Sequence, residues 1–161
     1  MDATLSGTAI YEERQNFALL RMIALVAALV IGGTAYITNS KSGFTDPSEA
    51  WSLAFIAAML LVVVWGFSRM STTVNSAFLQ FGFPVWHKRV EVSRIHVGEI
   101  KRIPMWYGLG IHYVVGIWVY NVHLGRGVVI AVDGRRYLIG SSDPERLQSA
   151  LLQVAPRREN A

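Results

Sequence analysis

MIALVAALVIGGTAYITNS (residues 22–40) and AWSLAFIAAMLLVVVWGFS (residues 50–68) are the two stretches that decide the predicted fold. Each stretch is nineteen residues long and contains no Asp, Glu, Lys or Arg. A helix of that length rises about 28 Å, which is close to the ~30 Å hydrocarbon thickness of a bilayer. Two helices that are apolar on every side are unusual in a small soluble core. The sequence therefore predicts a two-helix transmembrane hairpin over residues 17–69.

Small residues recur at every fourth position of both predicted helices, and such stripes let membrane helices approach closely. They are Ala24, Ala28 and Gly32 in the first helix and Ala50, Ala54 and Ala58 in the second. A second interpretation stays open, because Ala and Gly are common in any membrane helix. Aromatic residues are also expected at interfaces. These are Tyr36, Trp51, Trp65, Trp106 and Trp118.

Basic residues near the predicted membrane ends indicate an orientation. The connection between the helices holds only Lys41, whereas the flanking segments hold Arg14, Arg21, Arg69, Lys88 and Arg89. Positive residues stay on the cytoplasmic side. We therefore expect a multi-pass protein of the bacterial inner membrane with both termini cytoplasmic. Its expected parts are an N-terminal segment (1–16), the hairpin (17–69), a β domain (70–154) and a polar tail (155–161).

Residues 103–125 pose an alternative, because they also lack Asp, Glu, Lys and Arg. A third membrane span would place the C-terminus on the other side of the bilayer. Pro104, several glycines and the β-branched and aromatic run IWVYNVH (residues 117–123) favour strands instead.

From residue 70 onward, short β-branched and aromatic runs alternate with turn residues, which predicts about seven strands. Asp133 and Gly134 predict a tight type I′ hairpin, because Asp-Gly tolerates the positive φ angles that this turn requires. Ser142 and Glu145 form a capping box that predicts the start of a last helix. One apolar stripe follows on that helix at Leu147, Ala150, Leu151 and Val154.

YGLGIH (107–112), GIWVYN (116–121), GVVIAVDGRRYLIG (127–140) and DPERL (143–147) together resemble the bacterial PH-like domain of small two-helix membrane proteins. The resemblance covers roughly residues 70–152. It implies an α+β membrane protein in which a partly open β-barrel, capped by a C-terminal helix, follows the transmembrane helical hairpin. It also implies a binding or scaffolding module and brings no catalytic residues. Family members often have Arg where this chain has His112.

Charge is concentrated in the second half of the chain, where residues 69–161 hold twelve basic and six acidic side chains. Such a domain suits an anionic lipid surface or an acidic protein face, and nucleic acid fits less well because no nucleic-acid motif is present. The predicted binding residues are Lys88, Arg89, Arg94, Lys101 and Arg102. The alternative is a solvated face in which Glu91 and Glu99 are interleaved.

Catalytic and metal-binding motifs are missing from the sequence. The chain has no Cys, and its four His residues lack metal-ligand spacing. No Gly-x-Ser-x-Gly motif marks a nucleophilic serine. We therefore expect no enzyme activity, no metal, no cofactor and no small-molecule substrate.

The favoured function is a non-catalytic, membrane-anchored scaffold or accessory subunit. Its PH-like domain would dock on a partner protein within a larger membrane complex, and its helices would contact membrane lipids and other transmembrane subunits. A respiratory or photosynthetic complex is a suitable host, although no residue specifies one. The first alternative is a sensor of anionic lipid headgroups. The second alternative, a small membrane enzyme, lacks any nucleophile or metal set.

Overall fold

The computed structural model describes residues 8–42 and 47–156, and the chain divides into two compact units. One unit, Phe17–Ser68, is the helical hairpin. The other, the β domain, combines Met1–Asn16 with Arg69–Ala161. For residues 19, 20, 38–42, 47–51 and 54 only the course of the helix is described. The β domain thus contains chain from both sides of the hairpin.

The helical hairpin consists of α1 (Ala18–Ser42) and α2 (Pro47–Phe67), which contact each other. Hydrogen bonds join the two ends of this unit. The Arg21 guanidinium Nε donates to Ser68 Oγ at 3.1 Å, and the Phe17 amide donates to the Ser68 carbonyl at 2.8 Å. Arg21 therefore has a bonding role within the hairpin. The sequence also predicts Asp46 as the N-cap of the second helix, with Pro47 at its first position, but Asp46 lies outside the described residues.

The predicted small-residue stripes coincide only in part with the buried sides of the helices. Ala24 and Ala28 are half-buried, but Gly32 and Ala58 are exposed. A Cβ atom placed at Gly32 would meet nothing within 4 Å. In α2 the half-buried small residue is Ala57, one position before the predicted one. The side chains of three predicted residues lie outside the described part of the structure: Ala50, Trp51 and Ala54.

Across residues 8–42 and 47–156, no helix combines the length and the apolar content that crossing a bilayer requires. The predicted transmembrane hairpin is therefore wrong. The membrane-protein class, the multi-pass inner-membrane location and the cytoplasmic placement of the termini rested on it and are wrong too. The prediction rested on the absence of charged residues over nineteen positions, which is a weaker criterion than the length and the apolar content of a helix taken together.

Large side chains remain exposed on both helices. Leu29 in α1 and Phe55 in α2 each have 67% of their surface exposed. The aromatic residues Tyr36 and Trp65, predicted at a membrane interface, are 74% and 65% exposed. Their predicted interfacial role depended on the membrane span and is wrong with it. The exposed apolar surface of the helices is nevertheless a feature of this unit.

The β domain contains, within the described residues, nine strands in two sheets rather than the expected seven in one partly open barrel. The first sheet is antiparallel, and its strands run in the order β1 (Tyr11–Asn16), β2 (Arg69–Val74), β3 (Phe78–Phe83) and β4 (Trp86–Glu91). The second sheet contains β5 (Ile95–Arg102), β6 (Gly110–Val114), β7 (Ile117–Asn121), β8 (Arg126–Val132) and β9 (Arg135–Ser141). Its order is β5-β8-β9-β7-β6, and only β7 and β9 pair in parallel.

Strand β1 explains part of this difference. Its exposed positions Glu12 and Arg14 alternate with Tyr11, Glu13 and Gln15, which are buried or half-buried. Two of those three inward residues are polar, so the segment lacks the apolar alternation that marks a half-buried strand. The strand forms because β2 supplies a complete antiparallel partner for it, from Tyr11 opposite Val74 to Asn16 opposite Arg69.

The two sheets face each other across a core built by strand alternation. Leu79, Phe81 and Phe83 of β3 are almost fully buried, as are Ile130 of β8 and Ile139 of β9. On the opposite side of the five-stranded sheet, a second buried cluster surrounds Val119, Val129 and Leu138, with Ile103 and Tyr107 packed on it. Residues 103–125 therefore contain β6 and β7, as favoured, and no membrane span.

Helix α3 (Pro144–Val154) contacts β5, β8 and β9. Its predicted stripe is confirmed in that Leu147, Ala150 and Leu151 are buried. The cap differs by one residue from the prediction, because Asp143 rather than Ser142 accepts the Arg146 amide, at 3.0 Å. The Asp133 and Gly134 turn is confirmed, with φ angles of 51° and 75°. Val115 and Gly116 form a similar turn between β6 and β7, with φ angles of 47° and 79°.

Candidate functional site

The five basic residues predicted to bind together are divided by the structure. Lys88 and Arg89 belong to β4 of the first sheet, whereas Lys101 and Arg102 belong to β5 of the second. Arg94 lies in the short 3₁₀ turn Val92–Arg94 between those strands. Arg94 pairs with Asp133, and Lys101 Nζ lies 2.8 Å from Glu99 Oε1. The set is therefore not a single basic face.

Strand alternation separates even the neighbours Lys88 and Arg89, whose side chains point to opposite faces of β4. The Arg89 guanidinium lies 3.5 Å from the centroid of the Phe78 ring. Lys88 points towards the second sheet, where its ammonium donates a hydrogen bond to the Tyr137 hydroxyl. The ammonium also lies 4.4 Å from the centroid of the Tyr137 ring, a cation–π contact.

Tyr137, which the Lys88 ammonium contacts, belongs to a group of aromatic rings that come from both sheets. Phe81 packs edge-on against Tyr120 and Tyr137, with centroid distances of 5.0 Å and 5.9 Å. Trp118 is the strand neighbour of Tyr137 and lies 5.2 Å from Tyr113. We define the aromatic cluster by its members Phe81, Trp86, Lys88, Tyr113, Trp118, Tyr120 and Tyr137.

The exposure of the side chains differs across the aromatic cluster, from buried tyrosines on one side to exposed aromatic residues on the other. Tyr120 and Tyr137 are only 3% and 2% exposed, whereas Trp86 and Tyr113 are 64% and 63% exposed. Burial raises the pKa of Tyr120, and the neighbouring Tyr137 adds to the rise, although a hydrogen bond with the Trp86 side chain opposes it. The Tyr120 hydroxyl therefore stays protonated at neutral pH.

Of the remaining predicted aromatic residues, Trp106 lies apart from this cluster. It belongs to the 3₁₀ turn Met105–Tyr107 and is 73% exposed, with its ring 4.4 Å from that of Tyr107. Met105 and Leu124 are also exposed. Trp118, by contrast, is the strand neighbour of Tyr137, the residue that the Lys88 ammonium contacts. Sequence spacing could not show this contact, because Lys88 and Tyr137 come from different sheets.

The edges of the two sheets differ in charge. The edge strand β1 carries Glu12, Glu13 and Arg14, and the edge strand β4 carries Lys88, Arg89 and Glu91. The edge strand β5 carries Glu99, Lys101 and Arg102, and its pairing with β8 is irregular between Val97 and Ile100. Charges and bulges of this kind prevent an edge from pairing with another chain.

The fourth edge strand, β6, has none of these features. Its sequence Gly-Ile-His-Tyr-Val contains no Asp, Glu, Lys or Arg, and its five residues pair with β7 without a register shift. Tyr113 on this strand is exposed, and Val115 in the adjoining turn has 84% of its surface exposed. An uncharged, regular and open edge is the arrangement that accepts an added strand.

Asn121 positions the loop that precedes β6, a role the sequence did not reveal. Its side chain is fully buried, and its amide Nδ2 donates to the Gly108 carbonyl at 2.9 Å. Gly108 has a φ angle of 74°, which a residue with a side chain adopts only under strain. The hydrogen bond therefore fixes the chain where it enters the open edge strand.

Glu13 is a second residue that sequence reasoning missed. Its half-buried carboxylate accepts hydrogen bonds from Tyr11 Oη at 2.6 Å, Ser141 Oγ at 2.7 Å and the Ser142 amide at 2.7 Å. Gln15 Nε2 donates to it as well, at 3.0 Å. Burial opposes ionisation, but these donors outweigh it and hold the pKa of Glu13 below its usual value. Glu13 thus ties β1 to the end of β9 and is a structural group.

The described part of the chain brings no group of three or more His, Asp or Glu side chains into a metal-binding arrangement. The four histidines lie on different elements: His87 on β4, His96 on β5, His112 on β6 and His123 after β7. What the geometry offers is an open strand edge beside an aromatic cluster that contains one lysine.

Comparisons of the chain with protein-family models, curated proteins and solved structures find no match. The resemblance to the bacterial PH-like domain therefore stays a prediction.

Proposed function

We propose that this chain is a non-catalytic accessory subunit or scaffold whose β domain docks on a partner protein. The partner supplies an extended segment, and this segment adds to the open edge of β6. Main-chain hydrogen bonds provide the affinity in this mode of recognition, and side chains on alternate positions provide the specificity. The observation that carries the proposal is that β6, alone among the four edge strands found within residues 8–42 and 47–156, has no charged residue.

Exposed aromatic side chains next to β6 support the same proposal. Tyr113 and Trp118 form a cross-strand pair on one face of the β6–β7 hairpin. Aromatic residues of this kind are enriched among the anchors of protein interfaces. A segment paired with β6 places its own side chains beside Tyr113, and cross-strand neighbours on one face stabilise each other.

Strain in the β6–β7 turn is a further indication. Val115 has a φ angle of 47°, where a β-branched residue is a genuine outlier. Strain of this kind persists where the surrounding structure enforces it, and it clusters at ligand-binding sites. An exposed apolar side chain kept in a strained turn is consistent with a contact residue.

The helical hairpin provides independent support for an accessory role. Exposed apolar side chains such as Leu29 and Phe55 form surface on both helices. Large exposed apolar surfaces mark places that another molecule covers. The competing idea of a headgroup sensor lacks comparable support, because Arg94 and Lys101 are already paired with carboxylates and Lys88 points inward.

The test is binding of the full chain to an array of randomised short peptides. We expect binding of extended peptides, and we expect N-methylation of the peptide along one edge to abolish it. Tyr113→Lys places a charge on β6 and should weaken binding about tenfold or more. The matched control is His96→Lys on the opposite edge strand of the same sheet, which should bind as the unmodified chain does.

Three outcomes would contradict the proposal. The first is a Tyr113→Lys variant that is folded, by circular dichroism, and binds normally. The second is equal binding of peptides with and without N-methyl groups, which excludes main-chain pairing. The third is self-association of the chain through β6, detected by sedimentation and removed by Tyr113→Lys, because the occupant would then be a second copy.

A further inference from the structure

Lys88 holds a charge that no carboxylate balances among the described residues. The ion pairs across residues 8–42 and 47–156 join Arg14 to Glu12, Arg94 to Asp133, Lys101 to Glu99 and Arg126 to Glu145, and Lys88 is in none of them. The ammonium is half-buried against the second sheet. Burying a charge without a counter-charge costs free energy, and the Tyr137 ring offsets only part of that cost.

The Lys88 ammonium also has unused donor capacity. It carries three N–H groups, and the Tyr137 hydroxyl accepts one of them. The cross-strand neighbour of Lys88 on its own sheet is Phe81, which has no acceptor. The acidic residue of the same strand, Glu91, lies on the opposite face of β4 because it is an odd number of positions away.

The surroundings of the ammonium are rich in hydrogen-bond donors. The Tyr120 and Tyr137 hydroxyls each carry an O–H that can donate, whereas the single N–H of the Trp86 indole is already used in its hydrogen bond with Tyr120. A carboxylate accepts hydrogen bonds at both oxygens and binds most strongly to charged donors. Lys88 and the tyrosine hydroxyls therefore match the chemistry of a carboxylate.

We infer that the aromatic cluster binds the carboxylate of an Asp or Glu side chain of the partner, on or beside the segment that pairs with β6. This inference rests on the proposed function, and it adds the chemistry of the partner to it. The position fits, because Trp118 and Tyr113 continue the row of side chains from Tyr137 to the open edge. The charge fits as well, since the β domain holds thirteen basic and nine acidic residues.

The experiment uses the full chain and a peptide array in which each peptide has matched forms with Glu, Gln or Lys at one position. We expect the best Glu peptides to bind about tenfold more tightly than their Gln forms, as a charge-assisted hydrogen bond requires. Lys88→Met keeps the apolar stem and should remove this preference. Arg89→Met is the matched control, since it removes a charge from the opposite face of β4, and the preference should persist.

The possible results separate the two proposals. Peptides that bind the chain with no preference for Glu would overturn the carboxylate site and leave strand addition standing. Loss of the preference in Arg89→Met as well as in Lys88→Met would also overturn the site, because the effect would then be general charge. Absence of peptide binding to the unmodified chain would overturn the strand-addition proposal and the site together. Lys88→Arg, which keeps the charge, should retain most of the preference.

Discussion

Two tight turns of the five-stranded sheet share a backbone conformation and differ in chemistry. Asp133 and Gly134 join β8 to β9 with φ angles of 51° and 75°, and Val115 and Gly116 join β6 to β7 with φ angles of 47° and 79°. Asp-Gly suits this turn, whereas a β-branched residue does not. The Asp133 carboxylate also accepts a hydrogen bond from Arg94 Nε at 3.0 Å, while Val115 is exposed.

The difference indicates that the two hairpins have different roles. The β8–β9 hairpin lies in the middle of its sheet, and its buried residues Ile130 and Ile139 belong to the core between the sheets. The β6–β7 hairpin forms the open edge and exposes Tyr113 and Val115. Local sequence and fold agree in the first hairpin and conflict in the second. Such conflicts are expected at functional sites.

The largest effect should follow from a substitution that breaks the central hairpin. A Cβ atom at Gly127 of β8 would lie 2.4 Å from the Ile139 carbonyl oxygen of β9, and backbone cannot move aside easily. Gly127→Ala should therefore lower the free energy of unfolding by about 3 kcal/mol, the upper range of overpacking costs. Chemical denaturation measures this. Gly116→Ala in the edge hairpin is the comparison.

Gly116→Ala should cost less, because a Cβ atom there meets nothing within 4 Å. Its φ angle of 79° still penalises a side chain, by about 1–2 kcal/mol. An equal loss of stability in both variants would contradict the distinction between a packed central hairpin and an open edge hairpin.

A smaller effect should follow from replacing Glu13 with Gln. Glu13 supports the end of β9, and β6 and β7 lack such a support. In Glu13→Gln an NH2 group replaces one of the two carboxylate oxygens on which Tyr11, Ser141 and the Ser142 amide converge, so the side chain loses an acceptor and its negative charge. We expect a loss of about 1–2 kcal/mol, discounted for the partial exposure of the site. Denaturation at neutral pH measures it. A Glu12→Gln variant, on the exposed face of β1, is the control.

The pH dependence of stability gives an independent check on Glu13. The folded state lowers the pKa of Glu13, so its contribution is fully present above the unfolded pKa of about 4.3 and is lost as pH falls through the folded value. The difference in stability between the unmodified chain and Glu13→Gln should therefore shrink on acidification below about pH 4. A difference that stays constant down to that range would show that the carboxylate charge is not the source of the stabilisation.

The sequence predicted most strands of the β domain because their signals are local. Phe78–Phe83, the Asp133 and Gly134 turn and the apolar stripe of α3 follow from periodicity and turn chemistry alone. Strand β1 was missed because its inward positions are polar, and Glu13 becomes satisfied only by Ser141 and Ser142, far away in sequence. No local pattern carries that information.

The errors in the helical unit and the candidate site have a common cause. Uncharged stretches predicted a membrane span, but no helix of the described residues has the length and the apolar content of one. Basic residues close in sequence predicted one face, but alternation turned Arg89 away from Lys88. The contact of Lys88 with Tyr137 depends on how two sheets meet, which residue spacing does not specify.

A small effect should come from correcting the strained turn of the edge hairpin. Val115→Asn replaces a β-branched residue at a φ angle of 47° with one that tolerates this conformation. We expect the free energy of unfolding to rise by about 1 kcal/mol, since the substitution gives the Asn-Gly sequence that this turn prefers. If Val115 is a contact residue, the same variant should bind peptides more weakly while it unfolds less readily.

Asp133→Asn provides the matched control in the other turn. Asn also tolerates the φ angle of 51°, so the substitution removes the ion pair with Arg94 and leaves the backbone preference in place. Because Arg94 and Asp133 are both about half exposed, the loss should stay below about 1 kcal/mol and should shrink in high salt. A large loss in Asp133→Asn, together with no gain in Val115→Asn, would mean that the two turns differ in side-chain contacts rather than in backbone strain. The retained strain would then be no argument for contact between Val115 and a partner.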